Sequence, residues 1–136
     1  MAEFLPRRMI RAGKTIFRKG DAGSVAYVIQ SGTVEIVRPV AGHRRVIAKL
    51  AAGEIFGEMA LIDGKPRMAD AVALGDVTLL EISADQFNEK MRTADPFMRA
   101  LLRMFVTNLR VMTEKAVAAE MRSEVAAQKE ASPPTA

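Results

Sequence analysis

The sequence predicts an α+β fold, mainly β: an antiparallel β-roll of jelly-roll type with a short helix inside it and two C-terminal helices, the last one long. Three observations carry this. Short segments rich in β-branched residues, separated by glycine turns, fill the first two-thirds of the 136 residues. At Ser83 the texture changes to capped helix. From Pro96 to about Gln128 no glycine or proline interrupts the chain.

The strand segments are RMIRA, KTIFRK, VAYVIQSG, TVEIVRP, RRVIAKL and VTLLEIS. Turns are expected at Gly13, at Lys19–Gly23, at Ser31-Gly32, at Pro39–His43 and at Ala51–Gly53. No fixed repeat and no βαβ rhythm is present. In SADQFNEKMRT, Ser83 is the N-cap and Asp85 lies in the first turn. Asp95-Pro96 starts the next helix, with Asp95 capping and Pro96 at the first helical position. One domain is expected: residues 1–93 form the roll and first C-terminal helix, 94–128 the long helix, and 129–136 a disordered tail.

The long helix carries an apolar stripe, Met98, Leu102, Phe105, Leu109, Met112, Ala116 and Ala119, and a second line through Phe97, Leu101, Met104 and Val111. A thirty-residue helix is roughly 45 Å long, more than a small roll covers. Either both faces pack within the chain, or one packs on a partner helix in a coiled-coil homodimer. The second arrangement suits the length better.

Composition excludes several classes of function. There is no cysteine, hence no disulfide, thiol nucleophile or thiolate metal site. A single histidine, His43, cannot assemble a transition-metal site, and no Ser-His-Asp constellation is supportable. No enzymatic activity and no cofactor is therefore expected. The first twenty residues set Arg7, Arg8, Arg11, Lys14, Arg18 and Lys19 against Glu3 within a net charge of +4, but no DNA-binding motif accompanies them. They read as a solvated basic surface. No run approaches a membrane span and no signal-peptide apolar region opens the chain, so a cytoplasmic location is expected.

The stretch GEIFGEMALIDGKPRMADAV, residues 53–72, carries the chemistry. FGEMALI is expected to form one helical turn from near Gly57, and a helix start offers unpaired N–H groups to an anion. Glycine lets the backbone approach closely. Arg67 can present two parallel donors to a phosphate. Beside a phosphate, Glu58 is useful as an acceptor for a neighbouring hydroxyl such as a ribose 2′-OH. Phosphate and hydroxyl together describe a nucleotide. The bland alternative is a Glu58–Arg67 salt bridge that ties down a loop. Asp63 and Asp70, which flank the stretch, are expected to be solvated.

These residues resemble the phosphate-binding cassette of cyclic-nucleotide-binding domains, the sensors of catabolite activators, protein kinase A regulatory subunits and cyclic-nucleotide-gated channels. The common pattern F-G-E-hydrophobic-A-L, a gap, then P-R-x-A-x-V is matched at Phe56, Gly57, Glu58, Ala60, Leu61, Pro66, Arg67, Ala69 and Val72. The likeness extends over about residues 8–120. It implies that Glu58 accepts from the ribose 2′-hydroxyl, that Arg67 pairs with the cyclic phosphate, and that N–H groups around Gly57, Met59 and Ala60 complete the cradle. VMTEK, residues 111–115, is similar to the segment that touches the base and forms the dimer seam in bacterial catabolite activators. By that match Thr113 reaches the base, and Leu109 and Met112 cover it. Met68 stands where the family commonly has Thr, Ser or Ala. A hydroxyl there accompanies cGMP preference, so cAMP is the expected ligand and cGMP the second choice. The resemblance implies a stand-alone receptor acting through a homodimer or a protein effector. The alternative is a degenerate fold that keeps the dimerising helix and binds no ligand.

Overall fold

A computed structural model describes residues 5–131. Six antiparallel strands form one sheet: β1 (Arg7–Ile10), β2 (Thr15–Phe17), β3 (Val25–Val40), β4 (His43–Leu50), β5 (Ile55–Phe56) and β6 (Asp70–Ser83). Their order is β1-β6-β3-β4, with β2 also beside β6 and β5 beside β3. Three helices complete the chain: α1 (Glu58–Asp63), α2 (Ala84–Arg92) and α3 (Pro96–Ala131). The expected β-roll with a short internal helix and a long last helix is what the chain forms, and its sheet does not close into a barrel.

One strand, β3, is longer than the turn signals suggest. Ser31-Gly32, expected to be a turn, lies inside β3, where the register against β6 shifts on both sides of Ser31. The glycine serves a close approach: its φ is +94°, and a Cβ would lie 2.5 Å from the Asp76 carbonyl oxygen. β3 therefore bends instead of ending, and the bend lets one strand serve both halves of the roll.

Alternation along β3 and β6 turns one face inward. Tyr27, Ile29, Val34, Ala71, Ala73, Val77 and Leu79 pack there with Phe56 from β5. Few large side chains are available, so the small alanines bring the strands close to an aromatic trio. Phe17, Tyr27 and Phe56 lie with ring centroids 5.2–6.3 Å apart.

Both C-terminal helices start as their residues dictate. Ser83 and Gln86 form a reciprocal capping box on α2. The Asp95 carboxylate accepts from the Phe97 N–H at 2.7 Å, with Pro96 opening α3. The end of α3 departs from expectation: it continues through Ala131, past Gln128, because AAQKEA keeps helix-forming residues up to Ser132-Pro133. Residues 132–136 of the expected tail lie outside the described residues.

The docked face of α3 is the main correction. Among the described residues, Val106 and Val117 are its buried apolar ones, and neither belongs to the two predicted lines. Met98, Phe105, Leu109 and Met112 of the stripe, and Phe97, Met104 and Val111 of the second line, are all exposed. Two bidentate ion pairs select the docked face. Arg110 grips Asp63 at the end of α1, with Nη2 to Oδ1 at 2.9 Å. Arg38 of β3 grips Glu114 at 2.8 and 3.0 Å. Residues 106, 110, 113, 114 and 117 share one side of a helix, which lies on α1 and β3.

Candidate functional site

A cavity of about 650 Å³ lies between α1, β4 and α3. The sequence folds this way because Gly57 and Gly64 bracket α1. Both adopt left-handed φ, +78° and +69°, and the Gly64 N–H donates to the Ala60 carbonyl. Ala60 and Leu61 anchor the helix from below. Glu58, its first residue, lines the cavity and is half-buried. No hydrogen bond or ion pair to its carboxylate occurs among the described residues. That sets aside the salt-bridge alternative for Glu58 and Arg67.

Arg67 is the most constrained group in the site. It is 7% exposed and lines the cavity. Nη1 donates to the Gly57 carbonyl at 2.9 Å and Nη2 to the Val25 carbonyl at 2.6 Å. Nε is buried with no partner among the described residues. The guanidinium carbon sits 4.1 Å from the centroid of the Phe17 ring. Burial lowers its pKa, opposed more weakly by Tyr27 and by the charges of Asp21 and Glu58. Even so, a guanidinium keeps its proton at any physiological pH. Among the described residues this buried cation has no carboxylate hydrogen-bonded or ion-paired to it, so its charge is left to attract an anion.

Its backbone is tied as firmly as its side chain. The Gly20 N–H donates to the Arg67 carbonyl at 2.8 Å, and the Arg67 N–H donates to the Asp21 carbonyl at 2.9 Å. Asp70, expected to be solvated, accepts from the Lys19 N–H at 2.7 Å and pairs with Arg44 at 3.3 Å. Asp63, also expected to be solvated, is half-buried in its pair with Arg110. Burial pushes the Asp63 carboxyl up, but the hydrogen bonds from Arg110 and the Lys65 N–H outweigh it and hold the pKa below the usual aspartate value.

Of the residues the sequence singled out, Phe56, Gly57, Glu58, Met59, Ala60, Arg67, Met68, Ala69 and Thr113 come together around the cavity. Pro66 stands just outside, its carbonyl 3.5 Å from Arg110 Nη1. Leu109 and Met112 are not brought in: they are 45% and 64% exposed, because Arg110, Thr113 and Val117 take the inward face. Sequence reasoning missed Phe17, Gly23 and Arg110. Gly23 was legible only as a turn residue, yet a Cβ there would lie 2.4 Å from the Ala60 Cβ and 3.0 Å from Arg67 Nε.

Residues 7–94 match the model of the cyclic nucleotide-binding domain family. The chain belongs to that family. It is 40% identical over 85 residues to the cyclic AMP receptor protein of Thermus thermophilus, which covers 62% of this chain and 39% of the relative. A cyclic nucleotide-gated potassium channel of Rhizobium etli is 41% identical over 80 residues, 59% of this chain and 21% of the channel. Among solved structures, the cAMP-bound form of the EAL enzyme Bd1971 superposes with a TM-score of 0.76 at 34% identity, over 91% of this chain and 33% of that one. The Thermus thermophilus catabolite activator protein gives 0.66 at 31%, over 90% and 56%. This cyclic nucleotide-binding domain thus spans well under half the length of those two curated relatives. None of its described helices is long and apolar enough to cross a membrane.

Proposed function

We propose that this chain is a non-enzymatic, cytoplasmic receptor for cAMP, with cGMP as a weaker ligand. The observation that carries the proposal is Arg67, a buried guanidinium with no carboxylate bonded to it among the described residues, on the wall of a nucleotide-sized cavity. Arg67 pairs with the cyclic phosphate, N–H groups at the start of α1 complete the cradle, and the free Glu58 carboxylate accepts from the ribose 2′-hydroxyl. The purine lies between β4 and α3, where Val46, Ile47, Met68, Ala116 and Val117 offer apolar surface and Thr113 a hydroxyl. Met68 supplies no hydroxyl, which favours adenine over guanine.

Signalling follows from the Arg110–Asp63 pair. Ligand held on the cassette changes the placement of α1, and α1 carries α3 with it, a shift between two populations. The exposed lines of α3 are read by a second copy of the chain or by a protein effector; size measurement with and without nucleotide distinguishes these.

Titration calorimetry with cAMP and cGMP tests the reading directly. Binding of cAMP is expected, and no heat from either nucleotide at high micromolar concentration overturns it. Arg67→Ala is expected to cost at least about 2–3 kcal/mol of binding, the loss of a charge-assisted contact. Unchanged affinity removes Arg67 from the site.

A further inference from the structure

Cations held inside proteins usually pair directly with a carboxylate, and among the described residues Arg67 has none bonded to it. Its guanidinium is fixed by two backbone carbonyls and the face of Phe17, and Nε remains unpartnered. The difference matters for an anion site. A carboxylate would orient the guanidinium but also neutralise it, and an incoming phosphate would have to displace that partner. An aromatic face orients the same group through its quadrupole and leaves the full positive charge for the ligand.

The local backbone serves this placement. Thr15 pairs with Val72 and Phe17 with Ala71, so β2 carries one extra residue in its ladder with β6. Ile16 and Phe17 are both half-buried in consequence, which regular alternation would forbid. The bulge turns the Phe17 ring toward the cassette instead of away from it. There the ring also packs against Phe56 at 5.9 Å, and a Cβ on Gly57 would come within 3.4 Å of it. The ring is thus held from behind by the core and holds Arg67 in front.

The geometry points to Phe17 as a positioning residue for nucleotide binding: it orients the Arg67 guanidinium for the phosphate without neutralising it. This rests on the receptor reading above. The test is a mutant cycle read by calorimetry with cAMP. Phe17→Leu keeps apolar volume and is expected to weaken cAMP roughly three- to thirtyfold, the range of a desolvated cation–π contact. Phe17→Tyr, which keeps the aromatic face, is expected to restore affinity to within about twofold of wild type. In an Arg67→Gln background, titrated at millimolar cAMP, Phe17→Leu should change nothing further. An equal loss in both backgrounds assigns Phe17 a general packing role and overturns the inference, as does wild-type affinity in Phe17→Leu. A second readout needs no variant. In the wild-type protein, nuclear Overhauser contacts between the Phe17 ring and the Arg67 side chain should persist when cAMP is added, and their disappearance also overturns it. Wild-type protein that binds no nucleotide fails the receptor reading itself, a result distinct from all of these.

Discussion

Gly23→Ala isolates a steric requirement of the site from a backbone one. The backbone at Gly23 does not lie in the left-handed region, so alanine meets no φ strain, and the unfolded chain would lose entropy in favour of folding by about 0.4–1 kcal/mol. Space decides the outcome instead. The new Cβ would lie 2.4 Å from the Ala60 Cβ, and ordinary contact begins at 3.4 Å, so α1 and the β2–β3 turn must part by about 1 Å. Overpacking of this size costs about 1–3 kcal/mol, enough to reverse the entropic gain. The same shift reaches Arg67, whose Cζ and Nε would each lie 3.0 Å from the new methyl. Moving the guanidinium by a comparable distance should break one charge-assisted contact to the phosphate of the proposed ligand, worth about 1.5–3 kcal/mol, or roughly ten- to a hundredfold in affinity. Urea denaturation and cAMP titration read the two effects. Gly13→Ala is the control: its φ is +79° with nothing within 4 Å, so it should lose about 1 kcal/mol of stability through strain and keep its affinity. Wild-type affinity in folded Gly23→Ala would refute the reasoning.

Two further outcomes follow from the α3 clamps. Arg110→Ala strands Asp63 in a site where the pair's side chains are only 12% and 14% exposed, and should destabilise the docked helix by about 3 kcal/mol. Hydrogen exchange is expected to accelerate along α3 while β3 and β6 stay protected; uniform protection counts against the clamp. Acid should act on the same elements, because Asp63 and Glu114 are both held below their ordinary values, Asp63 as above and Glu114 by its hydrogen bonds from Arg38. Lowered folded pKa values mean that the unfolded state takes up protons first. The contribution is fully present above about pH 4.5, the ordinary glutamate value, and is lost as pH falls through the folded values. Denaturation midpoints from pH 7 to 3 should therefore fall less steeply in Asp63→Asn than in wild type.

Much of the site was legible in order along the chain. Phe56 to Ala60 and Arg67 to Ala69 form a local cassette, where a glycine, an acid and an arginine within a dozen residues already limit what can be bound. The helix starts at Ser83 and Asp95 were equally local, because a cap is a bond between residues two or three apart. Ser31-Gly32 misled for a related reason: a glycine that permits a bend carries the same letters as one that permits a turn.

By itself, then, the sequence determined the β-roll, the cassette and the family, all written in short-range patterns of glycine, alternation and charge. Only the tertiary structure decided which face of α3 closes the cavity. Three sides of that helix carry apolar residues, so periodicity could not choose among them. The choice fell to Arg110 with Asp63 and to Arg38 with Glu114, partners 47 and 76 residues apart. Phe17 became visible as a neighbour of Arg67 for the same reason, because separation along a chain says nothing about distance once β3 and β6 have folded the two together.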